Sequence, residues 1–344
     1  MKNFLSHWLA KTAEAQKPSR QILTDILKTM REGVIVIAAD TRIIASNQAA
    51  YDAFARGNDA LETKRLSEAI RDLTVHEAFR RALEEQKSAE INFEVLTGEK
   101  RSFELRVAPI EIEGEAAAAI GIFYDRTQIE RLEKIRQEFL SNVSHELRTP
   151  LTSILAFVET LEDGAIEDDE NNLRFLSVIR KNAERMHRLI DDILELSSIE
   201  AGKIAVQPKP VKLSKMVEEV FTNLNGQAAE RKIKLKNEVA PDVSVFSDAV
   251  RLEQMLTNLA DNAVKFNSEG GGAVTIAHRQ TETHDLISVE DTGEAISAEH
   301  LNRIFERFYR TDKARSREIG GTGLGLAIVK HLARLHGGEV SVAS

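Results

Sequence analysis

Residues 139–151 read FLSNVSHELRTPL. The run sets one histidine, His145, directly before an acid, Glu146, within a stretch whose apolar residues recur at three and four: Phe139, Leu140, Val143, Leu147 and Leu151. That spacing predicts a helix. A histidine that attacks phosphorus must lose its ring proton, and an adjacent carboxylate can take it. Pro150 has no N–H to give the helix, so it loosens the turn beyond the histidine. Two other readings use the same residues. One is a surface His-Glu pair on an amphipathic helix. The other, a zinc-protease helix, requires HExxH, and the position four after His145 is Thr149.

The helical spacing extends outward from this run, through Leu132 and Ile135 on one side and Ile154, Val158 and Leu161 on the other. Residues 162–170 (EDGAIEDDE) contain Gly164 and predict a loop. A second helix follows, with Leu176, Ile179, Ala183, Met186, Ile190, Ile193 and Leu196 on one face, and Gly202 ends it. Two long helices with one apolar stripe each cannot close a core alone. An antiparallel helical hairpin doubled into a dimeric four-helix bundle is expected, which makes the chain a homodimer.

Four further motifs lie downstream, in this order: NLADNAVKF (258–266), DTGEAI (291–296), FERFYR (305–310) and GGTGLGLAIVK (320–330). Together with the SHELRTP run they resemble the sensor histidine kinases of two-component systems. The resemblance covers about the C-terminal two-thirds of the chain. In RFYRTDKARSRE (307–318) followed by GGTGLGLAIVKH (320–331) it is close to the phosphate-regulon sensor branch. It implies an ATP-dependent kinase that phosphorylates His145 and passes the phosphoryl group to an aspartate on a response regulator receiver domain. Glu146 is the implied base for His145, and phosphatase activity toward that regulator is also implied, with Thr149 orienting water. The rival reading is a dimeric PAS scaffold or adaptor with a degenerate ATP site.

The resemblance also assigns the nucleotide site. Asn262 is the Mg²⁺ ligand, with Asn258 one turn before it, and Lys265 or Arg307 meets phosphate charge. Mg²⁺ takes few protein oxygens alongside phosphate oxygens, so a single amide oxygen suits it. Asp291 accepts from the exocyclic amine of adenine, and Gly293 lets the backbone approach the base. The usual pattern is DxGxG; Ala295 replaces the second glycine, and its methyl group fits only at negative φ. Gly321, Gly323 and Gly325 precede a helix, residues 326–335, whose N–H groups form an anion site for the phosphates. The intervening Arg303, Arg307, Arg310, Lys313, Arg315 and Arg317 suggest a mobile lid, with Phe305, Phe308 and Tyr309 docking it on the bundle.

Around the nucleotide motifs, Pro208 and Pro210 mark a linker. A helix over 213–232, a strand over 233–239, a helix over 247–268 and strands over 273–278 and 285–290 follow. This is the α/β sandwich pattern of a GHKL ATP-binding domain. A last strand is expected at 339–343, where the chain stops one element short of its relatives.

The N-terminal third reads as an α+β module: a helix at 22–30, strands at 34–38 and 42–46, a helix at 47–55, then strands at 91–96, 101–110 and 116–124. With its EGVIVI start (32–37), Asn47 after the second strand and Asp125-Arg126-Thr127 at its end, it resembles a PAS domain. The expected domains are an N-terminal helix or tail (1–21), a PAS-like sensor (22–127), the dimerisation and phosphotransfer hairpin (128–204) and the ATP-binding domain (211–344), the last without its final strand.

A net charge of −9 argues against a nucleic-acid partner. The chain has no cysteine, which excludes disulfides, thiolate metal sites and a flavin–cysteine adduct. No apolar run approaches the roughly 18 residues of a membrane-spanning helix, so no integral membrane segment is expected and the protein is expected in the cytoplasm. Residues 1–9 share an apolar helical face through Phe4, Leu5, Trp8 and Leu9, which suits local packing or a dimer seam, with a weak membrane-surface contact as the alternative. His76, alone in the sensor region, reads as structural and not as a haem ligand.

Overall fold

A computed structural model describes residues 22, 25–55, 60–62, 64–97, 99–111, 117–168, 170–268, 270–311 and 321–344. The expectations for residues 1–21 and for Lys313, Arg315, Arg317 and Gly320 lie outside them. The chain forms two compact units, Met1–Gln137 and Glu138–Ser344.

The first unit is built on a five-stranded antiparallel sheet of order β2-β1-β5-β4-β3. Its strands are β1 (Gly33–Ala38), β2 (Ile43–Ser46), β3 (Ala89–Thr97), β4 (Glu99–Ile110) and β5 (Ala118–Asp125). Alternation puts Phe103, Leu105 and Val107 of β4 on the buried face. There they meet a cluster of phenyl rings: Phe54 lies 4.8 Å from Phe123 and 5.1 Å from Phe103, and Phe93 lies 5.6 Å from Phe103. Asn47, the buried cap of helix Gln48–Phe54, accepts from Val34 N–H and Ala50 N–H and donates to the carbonyls of Leu27 and Glu32. A single side chain thus ties the incoming chain to the sheet and to the first helix.

Helix Leu73–Glu85 is an element beyond those the sequence pattern predicts. Asp72 caps it, and Val75, Ala78, Phe79 and Ala82 bury one face at helical spacing. His76 Nε2 lies 2.8 Å from the Ile70 carbonyl, a structural bond, as expected for a lone histidine here. Phe123→Ala is expected to destabilise this unit by about 3–5 kcal/mol, because a ring buried among rings leaves a cavity. Urea unfolding followed by circular dichroism measures that loss.

The second unit opens within the long helix Thr127–Glu162, which runs unbroken through Pro150. Helix Asn172–Glu200 returns beside it. The pairs Glu146–Arg185, Ser153–Asn182 and Phe157–Phe175 fix the antiparallel register. Gly202 stops the second helix in the left-handed region, φ 66°. Leu140, Leu151, Leu155, Leu176, Ile190 and Leu194 remain exposed on the hairpin.

The rest of this unit is a two-layer α/β arrangement. Strands β7 (Ile233–Asn237), β9 (Gly272–Gln280) and β10 (Asp285–Asp291) form a sheet of order β10-β9-β7, with β7 parallel to β9. Helices Leu213–Glu230 and Ala249–Lys265 cover it, burying Val217, Val220, Leu256, Ala260, Val274 and Ile276. Two expectations need correction. The proline linker is instead β6 (Lys209–Lys212), paired with β8 (Ser244–Ser247), a strand also missed. Pro210 is tolerated because a two-stranded ribbon leaves it an edge with no further ladder bond to donate. The strand expected at 339–343 does not form: no described strand ladders with it, and Ile296 N–H donates to the Ser344 hydroxyl just beyond.

Candidate functional site

His145 is exposed on the first hairpin helix, where its ring is open to a partner. Helical geometry turns its neighbour Glu146 to another face. There Glu146 Oε2 accepts from Arg185 Nη2 at 2.9 Å and from Arg310 Nη2 at 3.2 Å. This carboxylate is only 17% exposed, and Arg310 only 7%. The acid expected to serve His145 is therefore engaged elsewhere in this arrangement. Thr149 is exposed, and its hydroxyl donates to the His145 carbonyl at 3.1 Å, an ordinary back-bond along the helix.

The asparagine helix, Ala249–Lys265, is started by Asp248, whose side chain accepts from Val250 and Arg251 N–H. Asn258 and Asn262 lie one turn apart on it. The half-buried Asn262 side chain has no hydrogen-bond partner among the described residues. A half-buried amide without a protein partner is free to serve a ligand, so the donor set fits a hard cation. Asn258 Nδ2 lies 3.5 Å from the Gly325 carbonyl, which joins this helix to the glycine loop. Lys265 is held by Asp261 on the preceding turn.

At the end of β10, Asp291 is exposed, and its Oδ1 accepts from Gly293 N–H at 2.7 Å. Behind this turn lies a knot the sequence reading missed. Asn267, 1% exposed, donates to the Ala273 carbonyl at 3.1 Å and accepts the Thr292 hydroxyl at 3.1 Å. Thr292 Oγ1 in turn accepts from Ala273 N–H at 3.0 Å. The sequence signal was a polar residue at the helix end, between an apolar run and a glycine cluster. Ala295 is exposed and lies outside the positive-φ region, so its methyl group meets the condition set for it.

The glycine loop leads into helix Gly325–Leu335, and the structure brings both against the hairpin. Leu324, Ile328 and Leu332 pack on Leu189, Leu196 and Ile199 of the second hairpin helix. Thr322 donates to Asp192 at 2.7 Å, and burial pushes the Asp192 carboxyl above its usual range. Gly323, at φ 75°, lets the loop pass close to Phe308. Phe308 docks on the hairpin as expected, its ring 5.7 Å from Phe139. Tyr309 instead bonds His300 Nδ1 at 2.7 Å, beneath the Arg303 guanidinium. Arg307, expected on phosphate, is paired with Glu200 and lies over the Phe139 ring, so this arrangement does not bring it to the asparagine pair. Arg251 and Gln254 both hold Glu195, adding a polar contact between the asparagine helix and the hairpin.

Comparison with known proteins adds three domain matches. Residues 27–131 match the PAS fold, residues 135–202 the His Kinase A (phospho-acceptor) domain, and residues 247–344 the histidine kinase-, DNA gyrase B- and HSP90-like ATPase family. The sensor histidine kinase WalK of Bacillus subtilis is 32% identical over 347 residues, covering 98% of this chain and 55% of WalK. The sensor protein SrrB of Staphylococcus aureus is 28% identical over 99% of this chain and 57% of its own. The chain thus spans little more than half the length of these relatives. Among solved structures, the Acinetobacter baumannii histidine kinase AdeS is 25% identical over 56% of this chain and 86% of its own, with a TM-score of 0.47. The ATPase match implies ATP binding. No helix among the described residues is long and apolar enough to cross a membrane. The chain thus shares, in order, a PAS fold, a phospho-acceptor domain and a kinase-type ATPase domain with known families, and it is similar to two sensor proteins over nearly its whole length.

Proposed function

We propose that the chain is an ATP-dependent protein-histidine kinase acting as a homodimer. The observation that carries this is the exposed His145 on a hairpin that packs, in one unit, against the asparagine helix and the glycine loop. In the reaction, a ring nitrogen of His145 attacks the γ-phosphorus of ATP. The N–P bond forms as the bond to the β,γ-bridging oxygen breaks, and ADP leaves with that electron pair. Glu146, once released from its arginines, takes the ring proton. In the second step an aspartate oxygen of a response regulator attacks the same phosphorus, and the N–P bond breaks.

Asn262, with Asn258 beside it, would hold Mg²⁺, which neutralises phosphate charge when bound. Asp291 and Gly293 would read adenine, and the N–H groups of the Gly321–Gly325 loop would meet phosphate oxygens. We assign residues 22–127 to the sensor, 128–204 to the phosphotransfer hairpin and 211–344 to the ATP-binding domain. A need for ATP and for a receiver partner favours the cytoplasm for this chemistry. Within the class, residues 307–318 and 320–331 favour the phosphate-regulon branch. Transfer from the labelled kinase to a panel of receiver domains tests that, and preference for an unrelated receiver would reject it.

Incubation with radiolabelled ATP should yield acid-labile, alkali-stable label on the protein. Asn262→Ala is expected to weaken Mg²⁺-dependent ATP binding by about tenfold or more, the equivalent of one charge-assisted contact. Unchanged affinity by calorimetry would move the cation site elsewhere. Thr149→Ala is expected to spare autophosphorylation but slow dephosphorylation of the regulator by about tenfold or more, the lower end for a positioned group. A wild-type phosphatase rate would leave Thr149 a backbone-bonding residue before Pro150.

A further inference from the structure

One guanidinium joins two parts of the site that the reaction needs to act separately. Arg310 closes the FERFYR box, and its Nη2 reaches both the Glu146 carboxylate, at 3.2 Å, and the Gly321 carbonyl at the start of the glycine loop. Arg185, across the hairpin, holds the same Glu146 oxygen at 2.9 Å. The three side chains are 7%, 14% and 17% exposed, so water screens this contact little. His145, by contrast, is exposed. With both donors on Oε2, the carboxylate faces Arg185 and Arg310 and is withheld from the histidine ring. Leu324, Ile328 and Leu332, packed on the hairpin, and Thr322, bonded to Asp192, keep the glycine loop and Arg310 at that position.

We propose that Arg310 is a positioning residue that couples the glycine loop to the availability of Glu146. While the loop is docked on the hairpin, Arg310 withholds the acid beside His145. When the loop moves, the same residue leaves and the acid is released. The proposal rests on the kinase reading in its activity arm, and stands on geometry alone in its docking arm. Arg185 is the matched control. It grips the same oxygen but belongs to the hairpin itself.

The absence of native cysteine allows the docking arm to be read directly. In the Asp192→Cys/Thr322→Cys double variant, disulfide formation reports how much of the time the loop is docked. Adding Arg310→Ala should slow that crosslinking several-fold. An unchanged crosslinking rate would overturn the proposal, whether or not the protein proves to be a kinase. In the activity arm, Arg310→Ala should raise the autophosphorylation rate at saturating ATP by about tenfold, with ATP affinity changed by less than about threefold. Arg310→Lys, which keeps one charge but not the fork, should fall between. Arg185→Ala should raise the rate in the same direction without touching ATP affinity. A rate that falls in Arg310→Ala while ATP affinity is preserved would overturn the proposal, since Arg310 would then promote transfer. If Arg310→Ala loses ATP binding, the Arg185→Ala rate and the crosslinking decide. Absence of label in the wild type would remove the kinase reading and leave crosslinking to judge the contact.

Discussion

His145→Ala is expected to abolish acid-labile phosphate on the protein, a loss of at least about a thousandfold, because the proposed nucleophile itself is removed. The neighbouring hydroxyls cannot substitute. Ser144 donates to the Leu140 carbonyl at 2.9 Å and Thr149 to the His145 carbonyl at 3.1 Å, so both are turned onto the helix backbone. Phosphate on either would in any case be an acid-stable ester, which separates it from the phosphoramidate of histidine. ATP affinity should remain within about twofold of wild type, since the residues proposed to bind the nucleotide are on the asparagine helix, the β10 turn and the glycine loop. The variant should also keep its fold, because an exposed side chain on a helix contributes little. Acid-labile label persisting in the variant would put the acceptor on another residue.

The parts of this site that were legible in the sequence are those fixed by local spacing. The His145 helix, the Asn258–Asn262 turn and the helix after the glycine loop each follow from a repeat of three or four, or from a glycine at a helix end. The left-handed stop at Gly202 is of the same kind. What stayed hidden depends on pairings between distant residues. Arg310 meets Glu146 across 164 positions, and Arg307 meets Glu200 across 107. Local sequence showed a basic segment beside a nucleotide motif, and phosphate was the natural partner to assign. The fold supplied carboxylates on the hairpin instead. The β6–β8 ribbon was hidden for a similar reason. Two prolines within three residues read as a linker, and only its pairing with residues 244–247 makes it a strand. Asn267 gave a weak signal because its role, holding Thr292 and Ala273 together, needs three chain segments at one point.

That knot sets up the second large effect. Gly293→Ala is expected to weaken ATP binding by about tenfold to a hundredfold, from loss of one or two buried polar contacts. A Cβ at this position would lie 2.6 Å from the Phe266 carbonyl oxygen and 2.7 Å from Asp291 Oδ1. The Asp291 carboxylate could rotate away, but only by giving up the 2.7 Å bond from Gly293 N–H that orients it. The Phe266 carbonyl has less freedom, because Phe266 caps the asparagine helix through its bond to the Asn262 carbonyl. Its neighbour Asn267 is fixed on the other side by Thr292 and Ala273. Relief of the clash therefore displaces either the carboxylate proposed to read adenine or the end of the helix proposed to hold the cation. Ala295, two residues on, is the internal contrast: exposed and outside the positive-φ region, it meets no such constraint. Ala295→Gly should accordingly leave affinity within about twofold. Titration with a fluorescent ATP analogue, beside thermal unfolding of each variant, measures both effects. Wild-type affinity in a folded Gly293→Ala protein would mean that the base binds away from the β10 turn, and the assignment of Asp291 would fall with it.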